Sequence, residues 1–235
     1  MKAFISKLSN WVFPATCVVT GQPGVKFDLS EQVLLRLKPV SKACFKCGFP
    51  LNGEAEGICG QCLQQPPYFD QTLAGFVYED TIRALILRYK FQPEPQLARL
   101  LFELFFSVRQ QDLAALKVSA VVPVPSHPLR LLERGFNPAL ELAKPLAQAI
   151  NVPLLPFAVW RTKHTPAQSS LPLKKRQQNV KGAFAVQAEQ FLGMQRVLLV
   201  DDVMTTGQTL SAIAKQLKAE TAVAEVVNAV LARKN

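Results

Sequence analysis

Four consecutive apolar residues, Val197 to Val200, run directly into Asp201 and Asp202 and then into Met204-Thr205-Thr206-Gly207-Gln208-Thr209. A strand with no polar alternation is buried on both faces, as in a parallel sheet covered by helices on each side. The pattern predicts a strand over 197–200, a helix over 207–217 and a further strand over 223–232. The acidic pair then stands at the carboxyl end of a strand, where open α/β sheets receive ligands. The turn into the helix leaves backbone N–H groups without partners, and the helix dipole adds positive potential, so this turn is an anion site. Thr205, Thr206 and Thr209 supply hydroxyls, and Gly207 lets an oxyanion approach the backbone.

The two carboxylates sit too near that cradle to hold the anion themselves. Neutral hydroxyls, such as those of a ribose, suit them better, with a divalent cation nearby. An ordinary strand–turn–helix capped by Asp and Thr uses similar residues, but the full combination favours a sugar-phosphate site. Upstream, short strands are expected over 72–78 and 119–124, and helices over 81–89, 96–108 and 138–150. Strands alternating with helices make the fold class α/β, a mostly parallel sheet flanked by helices.

The N-terminal part has a different character. Cys44-x2-Cys47 and Cys59-x2-Cys62 are separated by eleven residues, with Gly48 and Gly60 allowing tight turns. Two such pairs give a tetrahedral sulfur site suited to zinc, and with all four positions filled by protein the site is structural. Disulfides are the alternative, disfavoured in a reducing compartment. Residues 1–67, ending at Pro66-Pro67, read as a zinc-binding module with short helices expected over 4–12 and 30–37. Residues 68–235 read as the α/β domain.

Charge is unevenly placed. The chain carries a net charge of +10. Nine of its basic residues fall between Pro128 and Lys181, opposed only by Glu133 and Glu141. Such a stretch favours polyanionic partners, although a solvated basic surface has the same composition. Residues 161–181 read as a mobile loop and a short basic helix, and Lys174, Lys175, Arg176 and Lys181 suit the backbone of single-stranded DNA. Phe157, Trp160 and Phe184 flank this segment, where core aromatics are commoner than stacking platforms. No apolar run reaches the roughly 18–20 residues that span a bilayer, and no signal peptide is legible. A cytoplasmic protein without membrane contact is expected.

VLLVDDVMTTGQTL resembles the phosphoribosyl-pyrophosphate (PRPP) loop of type I phosphoribosyltransferases. The resemblance implies that Asp201 and Asp202 bind ribose hydroxyls, that Thr205, Thr206, Gly207, Gln208 and Thr209 hold the 5′-phosphate, and that Mg²⁺ accompanies PRPP. The stretches VPVPSHPLRLLERGFN (122–137) and RTKHTPAQSSLPLKKRQQNVKGAF (161–184), with the cysteine module, resemble the ComF family, associated with DNA uptake in natural competence and related to GntX. This implies that Arg130 and Arg134 bind pyrophosphate, for which forked guanidinium groups are suited. His127 either joins them or simply ends a strand. Arg161, Lys163, His164, Thr165, Gln168, Arg176 and Asn179 match the family's lid, though a basic loop without specific duty remains the alternative. Where the family usually has RGFNQ, this chain has Pro138 in place of the glutamine. Cys17 looks like the remnant of a cysteine pair completed in many relatives.

The function stays open between classes. A PRPP-responsive protein that binds single-stranded DNA in transformation accounts for the basic stretch and the zinc module. An active phosphoribosyltransferase, passing ribose 5-phosphate from PRPP to a nucleobase, is the alternative. Some relatives carry Asp where Thr205 stands, and threonine is no general base at neutral pH; the catalytic residues are unknown. A third reading is an assembly factor that docks competence or recombination proteins.

Overall fold

The computed structural model describes residues 16–51, 57–92, 94–162 and 183–235. The helix expected over 4–12, and the candidate residues Lys163, His164, Lys174, Lys175, Arg176 and Lys181, lie outside the described residues.

Two short helices, α1 (Glu31–Leu35) and α2 (Gly60–Gln64), precede the sheet. Then follow β1 (Gln71–Val77), α3 (Asp80–Phe91), α4 (Pro95–Ala115), β2 (Ala120–Pro123), α5 (Pro128–Arg134) and α6 (Pro138–Ala149). A short pair, β3 (Val159–Arg161) and β4 (Phe184–Val186), leads through a 3-10 turn to β5 (Arg196–Met204), α7 (Gln208–Glu220) and β6 (Glu225–Arg233). The main sheet has the order β1-β6-β5-β2 and is parallel throughout. β3 and β4 pair antiparallel as a separate ribbon.

Side chains of a strand alternate between faces, and the core divides accordingly. Leu198 and Val200 of β5 join a cluster with Leu85 and Ile86 of α3, Leu101 and Leu104 of α4, and Leu142 and Leu146 of α6. Val197 and Leu199 face the other way, toward Leu210, Ile213 and Leu217 of α7 and toward Cys44, Cys47 and Cys62. The covered parallel sheet expected from the sequence is what the chain forms.

Several elements depart from the expectations. β5 runs on through the acidic pair to Met204, so both aspartates are strand residues. α4 continues to Ala115. Residues 128–134, where no helix was expected, form α5, because Pro128 at its first turn and His127 at its N-cap start a helix directly after β2. The cysteine module covers the β1 edge, as Val40 N–H donates to the Gly75 carbonyl (3.0 Å) and Val77 N–H to the Lys38 carbonyl (2.9 Å). An edge strand so covered cannot pair with another chain. No helix among the described residues is long and apolar enough to cross a membrane.

Candidate functional site

Because β2 pairs with β5, with Pro123 beside Val200, the loop after β2 lies next to the end of β5. Between them opens a cleft of about 380 Å³ at the carboxyl ends of the strands. Its lining includes Asp201, Asp202, Thr205 and Thr209 from the β5–α7 connection, but not Thr206, Gly207 or Gln208. Gly207 has φ +73° and caps α7, and a Cβ there would meet Met204 Cε and lie 3.4 Å from the Phe69 ring. Only glycine makes this turn without strain. Gln208 Oε1 is buried with no hydrogen-bond partner.

Arg130 and Arg134 stand one turn apart on α5 and face the cleft, as does Arg161 of β3. Arg134 lies over the Phe91 ring at 5.5 Å, and Arg161 over the Phe184 ring at the same distance. Burial, and then the charge of Arg130, lowers the proton affinity of both Arg134 and Arg161. Three cations around one opening, with Arg130 repelling the other two, form a site that an anion with several charges would relieve. His127 accepts the Leu129 N–H on Nδ1 at 3.2 Å, which makes it the cap of α5 as well as part of the cleft lining. Asn137 ties the loop to α6: its Nδ2 donates to the Val124 carbonyl (3.0 Å), and its Oδ1 accepts from Ser126 Oγ (2.9 Å) and Ala139 N–H (3.1 Å). Pro138, standing where a donor was expected, is the first residue of α6 and needs no N–H there.

Lys90 of α3 also lines the cleft and reaches Asp202, with Nζ 2.9 Å from Oδ1 and 2.8 Å from Oδ2. A sugar diol approaching Asp202 must therefore share it with this ammonium group. The sequence reading missed Lys90, although a signal existed: it follows Ile82 and Ile86 at helical spacing, a cation on an otherwise apolar stripe. Tyr78 and Lys234 also line the cleft and were not anticipated.

Asp201 accepts the Asp202 N–H at 2.9 Å. Burial pushes its carboxyl up to about 7, the adjacent Asp202 charge adds to the rise, and Lys90 and the Asp202 N–H oppose it. An unfolded aspartate titrates near about 4. Between these values the unfolded chain has released a proton that the folded chain retains, so this group makes stability fall as pH rises through the window and level off above it. Asp201→Asn should therefore match wild type at pH 4.5 and exceed it at pH 7.5 in urea melts. Parallel pH profiles would remove the assignment.

The four cysteines converge as the spacing predicts. All their Sγ atoms lie within 4.8 Å of one another, and Cys47 Sγ is 3.7 Å from Cys59 Sγ. A tetrahedral ion with metal–sulfur bonds of about 2.3 Å needs Sγ atoms about 3.8 Å apart. Cys44 Sγ accepts N–H groups from Cys47 (3.5 Å) and Cys59 (3.2 Å). Burial raises its pKa, yet these donors bring the thiol down to about 7. All four thiols are free, and the donor set fits a metal ion. Cys17 is buried outside this cluster.

The chain has relatives among known proteins. The sequence profile of the phosphoribosyl transferase domain matches residues 134–235. Competence protein F of Haemophilus influenzae is 39% identical over 181 residues, which cover 74% of this chain and 78% of that protein. DNA utilization protein YhgH of Escherichia coli K12 is 31% identical over 179 residues, covering 74% of this chain and 77% of the relative. Competence protein ComFC of Bacillus subtilis is 26% identical over 211 residues, or 81% of this chain and 83% of the relative. On the β5–α7 turn, the parallel sheet and these relatives together, the chain belongs to the ComF family and carries its type I phosphoribosyltransferase domain.

Proposed function

We propose that this protein acts in DNA uptake during natural transformation, binding PRPP with Mg²⁺ in the β2–β5 cleft and single-stranded DNA through its basic segment. The observation that carries the PRPP reading is that two charge sets of opposite sign line one cleft. Arg130, Arg134 and Arg161 come from α5 and β3, and Asp201 and Asp202 from the carboxyl-terminal part of β5. A ligand with a pyrophosphate group and a ribose diol meets both. The arginines take the pyrophosphate oxygens, the aspartates accept from the ribose hydroxyls, and Thr205 and Thr209 donate to the 5′-phosphate. Mg²⁺ would be held through Asp201, Asp202 and ligand oxygens, and would neutralise phosphate charge. Lys90 holds Asp202 in the meantime and keeps a buried carboxylate paired.

Support for the DNA reading comes from the names of the relatives, which concern competence and DNA utilization, and from exposed aromatics. Phe157 is 75% and Trp160 45% exposed, whereas Phe184 is buried. Two of the three aromatics flanking the basic stretch therefore present faces on which bases can stack. The four free thiols suit zinc and a cytoplasmic location.

PRPP with Mg²⁺ should raise the melting temperature of the wild type and leave the Asp201→Ala/Asp202→Ala double variant unmoved. Equal shifts would show that the ligand sits elsewhere. Affinity for an oligo-dT strand should fall steeply between 50 and 200 mM salt, and changing Lys174, Lys175 and Arg176 to Ala should lower that slope by about 2–3. A flat profile in the wild type would end the DNA reading.

A further inference from the structure

Arg233, the last residue of β6, is 4% exposed. Its Nε donates to the Cys47 carbonyl at 3.0 Å, and its Nη1 faces the carbonyls of Met204, at 3.4 Å, and Lys234. The guanidinium also lies over the Phe49 ring at 5.4 Å. A buried cation is costly unless its surroundings carry compensating negative charge, and the side-chain partners here are carbonyls and a ring. A divalent cation held by four thiolates leaves a net double negative charge. The cysteine cluster beside Arg233 is the local source of such charge once filled.

The other end of this contact is the phosphate turn. Met204 is the final residue of β5 and immediately precedes Thr205. Its carbonyl also accepts the Lys234 N–H at 2.9 Å. A second link is apolar: Phe69 packs in one cluster with Cys44, Cys47, Cys62 and Met204, and both Phe69 and Met204 close the space over Gly207. Polar and apolar contacts thus join the cysteine knuckle to the base of the 205–209 turn along two separate routes.

We propose that Arg233 is a positioning residue through which the four-cysteine metal site sets the conformation of the 205–209 turn, and hence its affinity for a sugar 5′-phosphate. The proposal rests on the phosphate-turn reading given above. With the metal in place, the knuckle holds Cys47 and its carbonyl, Arg233 is drawn toward the thiolates, and Met204 is fixed beneath the turn. Without it, the knuckle loses its cross-link, Arg233 loses its counter-charge, and the turn loses its support. Linkage is reciprocal, so a phosphate ligand in the turn must tighten metal retention by the factor through which the metal tightens the ligand.

The test uses full-length protein reconstituted with zinc, and ribose 5-phosphate as the probe. Zinc release to a chromogenic chelator is timed with and without saturating ribose 5-phosphate, whose affinity is measured by calorimetry. In the wild type the ligand should slow release about tenfold, within the usual range of coupling between sites. In Arg233→Met that protection should vanish, and ribose 5-phosphate should bind about tenfold more weakly. Arg233→Lys, which keeps a cation beside Phe49 but not the two-sided fork, serves if the methionine variant does not fold, and should lose most of the protection. Unchanged release in the ligand-bound wild type, or full protection in the folded variants, would overturn the coupling. Calorimetry separates the two failures. Binding without protection sinks only this inference, whereas no binding to the zinc-loaded wild type sinks the phosphate-turn reading and this inference with it.

Discussion

Converting Arg134 and Arg161 together to methionine is expected to weaken PRPP binding about a thousandfold, at two charge-assisted contacts of about 1.5–3 kcal/mol each. The stability of the empty protein should change far less. Methionine keeps an apolar stem over Phe91 and Phe184, where the guanidinium groups now lie. It removes two charges that burial penalises and that Arg130 repels, and with them the attraction of Arg134 to Asp202 and Glu133. The two effects therefore differ in size: affinity falls steeply while the melting temperature of the ligand-free protein moves little. That combination is expected where charges are gathered for a ligand rather than for the fold. Calorimetric titration with PRPP and Mg²⁺, together with a melt of the unliganded variant, reads both. A variant that binds normally and melts lower would assign these arginines to structure instead.

How much of this was readable beforehand depends on how local the signal is. The β5–α7 unit was legible because a short apolar run, β-branched at both ends and closed by a turn signal, fits a buried strand, and the acidic pair and threonines follow within ten residues. The cysteine cluster was legible because the spacing of ligands within a knuckle is itself local. Lys90 was not, since its pairing with Asp202 joins residues 112 apart, and only the helix orientation decides which charge it meets. α5 was hidden by its exposure: Leu129, Leu131 and Leu132 all face solvent, so no apolar stripe marks it as a helix. β3 and β4 have three residues each, too few for an alternation to register. Arg233 reads in sequence as a charge at the end of an apolar strand; the packing of the knuckle against β6 buries it.

Removing the metal from the cysteine cluster should lower stability more than any single core substitution, by about 5 kcal/mol or more, because binding energy at such sites is folding energy. In a chain of this length that is about 10–20 °C in melting temperature. The loss should be global. Cys44, Cys47 and Cys62 lie in the same apolar cluster as Leu199, Val230 and Ile213, so an unlinked knuckle opens one whole face of the sheet. Val40 and Gly48 add to this, the first bonded to Gly75 of β1 and the second packed against Ala74 and Thr72, where an added Cβ would come within 3.1 Å of each. Cys62→Ser should act like chelation, since serine at a 7% exposed position offers a poor ligand and leaves a buried hydroxyl. Both treatments should give a single lowered transition by circular dichroism and by intrinsic fluorescence. Two separate transitions, with the sheet melting at its original temperature, would mean that the knuckle is an appendage and that the sheet stands without it.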